Sequence, residues 1–372
     1  MKMLDVVWFS NVPAPYRFPL WREVAQQTDL LVCFLARTEP GRRWDLPSDV
    51  GFDWTYVGAR RLSRGETHLY VTAPGVRRAI SAADVVVIGG WESPANWRII
   101  RQARRTGASI VLFYESTLDS HRFSSGPFAA ARRRILRAVD VVLTVGPASR
   151  DAVIAEGVQA ERVVMGSNSV DDAIVRKARE LRVARRVQED LVPEAVRYLF
   201  VGRLIPLKNV DGLIRAFATV RQPADRLTIV GEGTEEATLH RLVDELQLGD
   251  VVDFAGYLVG DALASAYADS DCLVLPSTTE VWGMVVQEAL DAGLAAVVTE
   301  HAGIVPSLDD AAPVVVSAVD VASLAMALHS ARGRVPREPV GVDVPPAVNG
   351  FLVDAAMAAI ARAAYEPRRR AS

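Results

Sequence analysis

The chain has 372 residues, half of them apolar and 23% charged, with a formal net charge of -3. That length exceeds what one compact core supports and predicts two domains; the composition excludes disordered, collagenous and coiled-coil chains. No apolar run reaches the roughly 18–20 residues of a bilayer span and the start lacks a secretory layout, so a cytoplasmic chain is expected.

Short β-branched runs alternate with helix-like stretches along most of the sequence. The first half predicts strands at 5–10, 30–36, 83–90, 109–115, 140–146 and 162–167. Helices are predicted near 16–27, 73–82, 94–106, 126–138 and 147–156. The second half predicts strands at 198–203, 226–233, 251–256, 271–277, 295–300 and 312–317, with helices near 209–220, 235–247, 260–269, 283–292 and 319–332. A charged stretch at 171–195 reads as a partly helical connector, and the rhythm lapses after residue 335 until a final apolar helix at 351–365.

Near-continuous apolar strands followed by amphipathic helices imply parallel sheets covered on both faces. The economical architecture is α/β: two Rossmann-like, doubly wound parallel-sheet domains facing a cleft. Their expected bounds are 1–172 and 196–345, with a linker at 173–195 and a terminal segment at 346–372. Ligands of such sheets bind beyond the carboxyl ends of the strands.

Charge is unevenly spread. Residues 1–150 hold 21 Lys and Arg against 13 Asp and Glu, whereas the remainder holds 21 against 32. Basic clusters at Arg98, Arg101, Arg104 and Arg105, and at Arg132, Arg133, Arg134 and Arg137, read either as solvated helix faces or as an attraction to an anionic membrane surface or acceptor. Nucleic acid is not indicated, because no aromatic-rich basic motif accompanies them. Cys33 and Cys272 lie far apart in apolar runs and read as reduced, buried thiols. Only three lysines occur against 39 arginines, which draws notice to Lys208.

The strand ending in Gly202-Arg203 runs through a short loop to Lys208-Asn209 and a helix. Arg203 and Lys208 could meet one anionic group near that helix start, or be two solvated cations. The next strand ends Gly231-Glu232-Gly233, a tight turn before a helix, and Gly256-Tyr257 closes another strand. In CLVLPSTTEVWGMVVQEALDAG, Glu280 lies in a loop, Gly283 opens a helix whose first amides belong to Met284 and Val285, and Glu288 follows inside that helix. Carboxylates suit sugar and ribose hydroxyls, and helix-start amides suit phosphate.

Taken together, FVGRLIPLKNVDGLIRAF, IVGEGTEEATL, VVDFAGYL, LPSTTEVWGMVVQEALDAGL and VVTEHAG resemble the nucleotide-sugar glycosyltransferases of the GT-B fold, family 4, across essentially all of 198–305. The resemblance implies a metal-independent transferase that retains configuration. It assigns the leaving diphosphate to Arg203 and Lys208, the donor sugar to Glu280, the ribose to Glu288, donor oxygens to the amides from Gly283, and the base to the turn at Tyr257. Gly202, Gly231 and Gly233 would let the backbone approach the donor.

The first half is less similar. NVPAPYRFPLW (11–21) resembles a start used by bacterial polysaccharide-type members, which makes Asn11, Tyr16 and Arg17 acceptor-side candidates. GGWESPANW (89–97) and YESTLDSHR (114–122) end strands expected to face the same cleft. Many members carry a histidine just after the strand that here ends in Glu115, where this chain has Tyr114-Glu115-Ser116; Glu115 is the preferred acceptor-side residue, with Ser116 beside it and His121 a poorer one. The helix at 351–365 is similar to one that crosses back onto the first domain in this fold. No cofactor or metal is expected. The implied partners are a nucleotide-sugar donor and a polysaccharide, lipid-linked or natural-product acceptor, with peripheral membrane contact open. The rival readings are a sugar-nucleotide epimerase, a phosphorylase, and a non-catalytic nucleotide-sugar binder; a dehydrogenase lacks its glycine fingerprint.

Overall fold

The computed structural model describes residues 3–39, 49–64, 67–121, 123–168, 170, 172–186, 195–336 and 349–365. The chain divides into two units, Met1–Ser169 with Val348–Ser372, and Val170–Ala347.

In the first unit, β1 (Asp5–Ser10), α1 (Phe18–Gln27) and β2 (Asp29–Phe34) are followed by β3 (Asp53–Tyr56) and a hairpin of β4 (Arg60–Arg64) and β5 (Thr67–Thr72). Then come α2 (Val76–Ala79), β6 (Val85–Gly89), α3 (Pro94–Thr106), β7 (Ser109–Tyr114), α4 (Gly126–Ala138), β8 (Val141–Val145), α5 (Gly146–Ala155) and β9 (Val163–Gly166). Seven strands form one sheet in the order β3-β2-β1-β6-β7-β8-β9, each pair parallel. Strands buried on both faces, such as Val85–Ile88, need helices on both sides, and the alternating sequence supplies them. The last helix of the chain, Asn349–Tyr365, packs on α1, β8 and β9 through Ala355, Ala356, Ala359 and Ala363, whose small side chains permit close approach.

The strands β3, β4 and β5 have no counterpart in the sequence reading. β3 is a four-residue edge strand with half its residues exposed, and the hairpin has only the three-residue apolar run Leu69-Tyr70-Val71 between polar residues, so neither gives the buried-strand signal. Trp54 of β3 packs edge-on against Tyr56 at 5.2 Å. Arg42, Arg43 and Trp44 lie outside the described residues.

The second unit begins with α6 (Asp172–Arg186) and continues through β10 (Arg197–Val201), α7 (Val210–Val220), β11 (Arg226–Val230), α8 (Glu236–Glu245), β12 (Val252–Gly256), α9 (Gly260–Ala268), β13 (Cys272–Leu275), α10 (Met284–Asp291), β14 (Ala295–Thr299), β15 (Val314–Ser317) and α11 (Val321–Ala331). Its six strands are all parallel in the order β12-β11-β10-β13-β14-β15.

In the stretch expected as a partly helical connector, the structure has the helix α6. This helix packs on α9 and buries Val175, Ala178, Arg179 and Arg182. Three of its arginines turn onto neighbouring carbonyls: Arg182 donates to the Ser270 carbonyl and, at 3.2 Å, to that of Gly293. Arg179 donates to the carbonyl of Asp291, and Arg185 to that of Ala268 at 2.9 Å. Guanidinium groups thereby satisfy carbonyls at the C-terminal ends of α9 and α10, where orphan acceptors and the helix dipole favour a cation. Residues 187–194 lie outside the described residues.

Candidate active site

Both sheets reverse their winding at one place, between β1 and β6 in the first unit and between β10 and β13 in the second. A crevice forms at such a switch point, because neighbouring strands send their connections in opposite directions. Asn11, Tyr16 and Arg17 follow β1 at the first of these places, and Arg203, Lys208 and Glu280 follow β10 and β13 at the second.

In the second unit the loop after β10 lies directly on the turn after β11. The Gly202 amide donates to the Val230 carbonyl at 3.0 Å, Leu204 to Glu232 at 2.9 Å, and Glu235 back to Leu204 at 2.9 Å. A side chain at Gly231 would place its Cβ 1.8 Å from the Gly202 carbonyl oxygen, and one at Gly233 would reach 2.1 Å from that of Leu204. These glycines therefore let two backbones touch, which fixes half-buried Arg203 and the approach to Lys208. The Thr278 amide donates to the Leu207 carbonyl at 2.9 Å, tying this loop to the one after β13.

The tie brings Lys208 and Glu280 together. The Lys208 ammonium donates to Glu280 Oε2, with each side chain 18% exposed. The Glu280 loop is itself braced: Gly303 donates to the Glu280 carbonyl at 3.0 Å, and buried Trp282 donates its indole N–H to Gln287 at 3.2 Å. Gly283 caps α10 at φ 101, and a Cβ there would meet Leu275 at 2.9 Å. The amides of Met284 and Val285 open this helix and have no acceptor within it. Glu288 is buried on α10 and accepts from the Tyr267 hydroxyl at 2.5 Å. Tyr257 presents an exposed ring at the end of β12. The second unit therefore gathers cations, carboxylates and helix amides at one strand-end surface.

The first unit gathers a different set. Arg17, just before α1, forms an ion pair with Glu115 at the end of β7 and lies over the Phe113 ring at 4.7 Å. Burial works against the Arg17 charge, but Glu115 and Tyr16 outweigh it and hold the guanidinium pKa above its ordinary value. Asn11 and Tyr16 are half-buried after β1, and Ser116 is half-buried beside Glu115. Asn11 Oδ1 is shielded from solvent and has no hydrogen-bond partner among the described residues.

His121 departs from its acceptor-side expectation. Its side chain is buried, 2.6 Å from the Tyr114 hydroxyl and 4.0 Å from Glu156, and burial followed by Arg132 lowers its pKa. The Arg132 cluster is corrected too. Arg132 itself is core, bonded to Glu156 and to the Phe123 carbonyl at 3.1 Å, with the Trp91 ring 5.3 Å away. Arg133 shares Glu156, and Arg134 lies over Trp97. An inward arginine inside a four-arginine segment leaves no mark in composition, since its carboxylate partner lies 24 residues on.

Two site residues were not singled out from sequence. Glu92 follows the Gly89-Gly90 end of β6; desolvation of its carboxyl, then repulsion from Glu115, raise its pKa. The switch-point rule applied to that strand end would have found it. Tyr267 has no local signal, because its partner Glu288 is 21 residues away.

Two parallel-sheet Rossmann-like units, each with one winding reversal, define the architecture of a GT-B glycosyltransferase. The chain belongs to the family 4-type glycosyltransferases: residues 15–169 match the family described as Glycosyl transferase 4-like domain, and residues 184–331 match Glycosyl transferases group 1. It is 32% identical over 211 residues to a GDP-mannose-dependent alpha-mannosyltransferase of Mycobacterium tuberculosis, covering 55% of this chain and 52% of that protein. It is 37% identical over 138 residues to D-inositol 3-phosphate glycosyltransferase 2 of Catenulispora acidiphila, covering 34% and 32%. The matched stretches thus span between about a third and about half of these relatives. The Anabaena protein HepE, solved in complex with UDP, has the same fold, with a TM-score of 0.68 at 16% identity over 96% of this chain and 95% of that one. Among the described residues no helix is long and apolar enough to cross a membrane.

Proposed function

We propose that this chain transfers a sugar from a nucleoside-diphosphate donor to a hydroxyl of a carbohydrate, lipid-linked or small-molecule acceptor, with retention and without a metal. The observation that carries the reading is the Lys208–Glu280 pair at the second unit's switch point. Names of relatives support it, since HepE has also been solved with UDP-glucose and the mycobacterial relative is described as GDP-mannose-dependent.

On donor entry Lys208 exchanges Glu280 for the diphosphate, and Arg203 and the first amides of α10 add to the charge that offsets the leaving group. Glu280, released, accepts hydrogen bonds from sugar hydroxyls, while Glu288 accepts from the ribose. The bond between the anomeric carbon and the phosphate oxygen breaks, and the acceptor oxygen bonds to that carbon on the same face. A phosphate oxygen takes the acceptor's proton, so no pair of side-chain acids is required. Glu115, held by Arg17, orients the acceptor hydroxyl.

The test is donor hydrolysis by the purified chain across a panel of nucleotide sugars, in the presence of a chelator. One donor is hydrolysed by the wild type, and Lys208→Ala lowers that turnover roughly 10²–10³-fold with an unchanged circular dichroism spectrum. Loss of activity on chelation, or near-normal turnover of Lys208→Ala, sinks the reading.

The same proposal places the chain peripherally on anionic membrane. Phe123 and Phe128 stack at 4.7 Å while remaining exposed at the start of α4, the helix that also bears Arg133, Arg134 and Arg137. Vesicles with anionic lipid are expected to sediment the chain at low salt, and Phe123→Ser with Phe128→Ser to abolish this. Equal sedimentation with neutral lipid, or none, removes the membrane from the proposal.

A further inference from the structure

Tyr267 lies near the end of α9, fully buried, and its only polar atom beyond the backbone is the hydroxyl that donates to Glu288 Oε2 at 2.5 Å. That is the length of a hydrogen bond to an ionised carboxylate, the stronger kind. Glu288 is 8% exposed, so a ligand reaches its carboxylate from one narrow side. The phenol and the carboxylate sit on separate helices, yet their spacing is fixed. Arg182 of α6 spans the two helix ends, donating to the Ser270 carbonyl after α9 and to the Gly293 carbonyl after α10. Burial, followed by the Glu288 charge, raises the Tyr267 pKa well above that of a free phenol, so it remains a donor throughout the working range of pH.

We propose that Tyr267 is a positioning residue which sets the carboxylate plane of Glu288 and so gives the donor site its preference for ribose over deoxyribose. The inference rests on the reading of Glu288 as the ribose-binding group. A carboxylate has about four acceptor positions, so accepting from the phenol leaves capacity for a vicinal diol. What the phenol removes is rotation. Without that bond the carboxylate plane would be less defined and the site would discriminate less between a diol and a single hydroxyl.

The experiment measures dissociation constants of UDP, GDP and ADP and of their 2′-deoxy counterparts by calorimetry, using the full chain. The wild type is expected to favour the ribose form of whichever base it binds. Tyr267→Phe, which preserves shape, should weaken the ribose form roughly tenfold and leave the deoxy form within about twofold, so the preference shrinks. Equal weakening of both forms, or of neither, overturns the proposal in favour of simple packing. Absence of any ribose preference in the wild type, with Glu288→Gln also unaffected, sinks the reading of Glu288 itself and is distinguishable from failure of Tyr267 alone. If Tyr267→Phe does not fold because it strands a buried charge, the double variant with Glu288→Gln removes that charge. It should bind like Glu288→Gln alone, since Tyr267 acts through that carboxylate; a further selective loss overturns the proposal.

Discussion

In the second unit the loops that carry Arg203, Lys208 and Glu280 are fixed by backbone against backbone: Gly231 beneath Gly202, Gly233 beneath Leu204, Thr278 on Leu207. In the first unit the strand ends after β1 and β7 are held by charge against charge, with Arg17 on Glu115, and Arg132 on Glu156 ties α4 to the end of α5 behind them. The first arrangement holds a group to within tenths of an ångström at any protonation state. The second depends on the ionisation of both partners. Under the proposed function the rigid cradle would suit a pyrophosphate, which has one shape, and the side-chain pairs would suit acceptors, which differ in size and polarity. The contrast can be broken at three points.

The largest effect is expected from Gly231→Ala. The added methyl meets the Gly202 carbonyl oxygen and the position has φ 136, so the loop must move. We expect a loss of about 2–3 kcal/mol in stability from strain and overpacking, and a roughly 10²-fold fall in turnover as Arg203 shifts. Gly126→Ala in the first unit is the control: its φ is 78, but a Cβ there meets nothing within 4 Å, so the cost stays near ~1 kcal/mol and turnover is unaffected. Equal effects of the two substitutions, read by urea denaturation and donor hydrolysis, would remove backbone contact as the distinguishing feature.

This same contrast explains what could be read from sequence. Glycines at strand ends are forced by sterics within a few residues, so Gly202, Gly231, Gly233 and Gly283 stand out in the chain as they do in space. The eleven strands and helices around them, from β10 to α11, carry their own periodicity and fall within a few residues of the expected bounds, β10 and α10 among them. What was missed is held by partners distant in sequence or by too few residues. The four residues of β3 are too short to show a pattern, α6 looks solvated until Arg182 is seen on the carbonyls of its neighbours, and Arg132 looks like its exposed neighbours until Glu156 arrives.

A medium effect tests the adaptable side of the comparison. Glu115→Gln should lower kcat/KM toward the acceptor roughly 10–100-fold while leaving donor hydrolysis and nucleotide affinity unchanged, because Glu115 belongs to the charge-held unit. A parallel fall in donor hydrolysis would tie Glu115 to the donor and erase the division of labour.

The smallest effect lies in the pH dependence of the charge-held unit. His121 has a folded pKa below its ordinary value of 6.5, because burial and Arg132 disfavour its proton more than Glu156 favours it. Its contribution to stability is therefore complete above the unfolded value of about 6.5 and lost as pH falls through the lower folded value, since the unfolded chain takes up the proton first. His121→Gln keeps a hydrogen-bonding side chain beside Tyr114 but cannot titrate. Between pH 7 and pH 5.5 the wild type should lose on the order of 1–2 °C more in Tm than this variant. The raised Glu92 carboxyl acts in the opposite direction, gaining stability on acidification, but it is present in both chains and cancels in the difference. Parallel Tm curves would mean that His121 is free to protonate in the folded state, and that the Tyr114–Glu156 cluster adapts to charge.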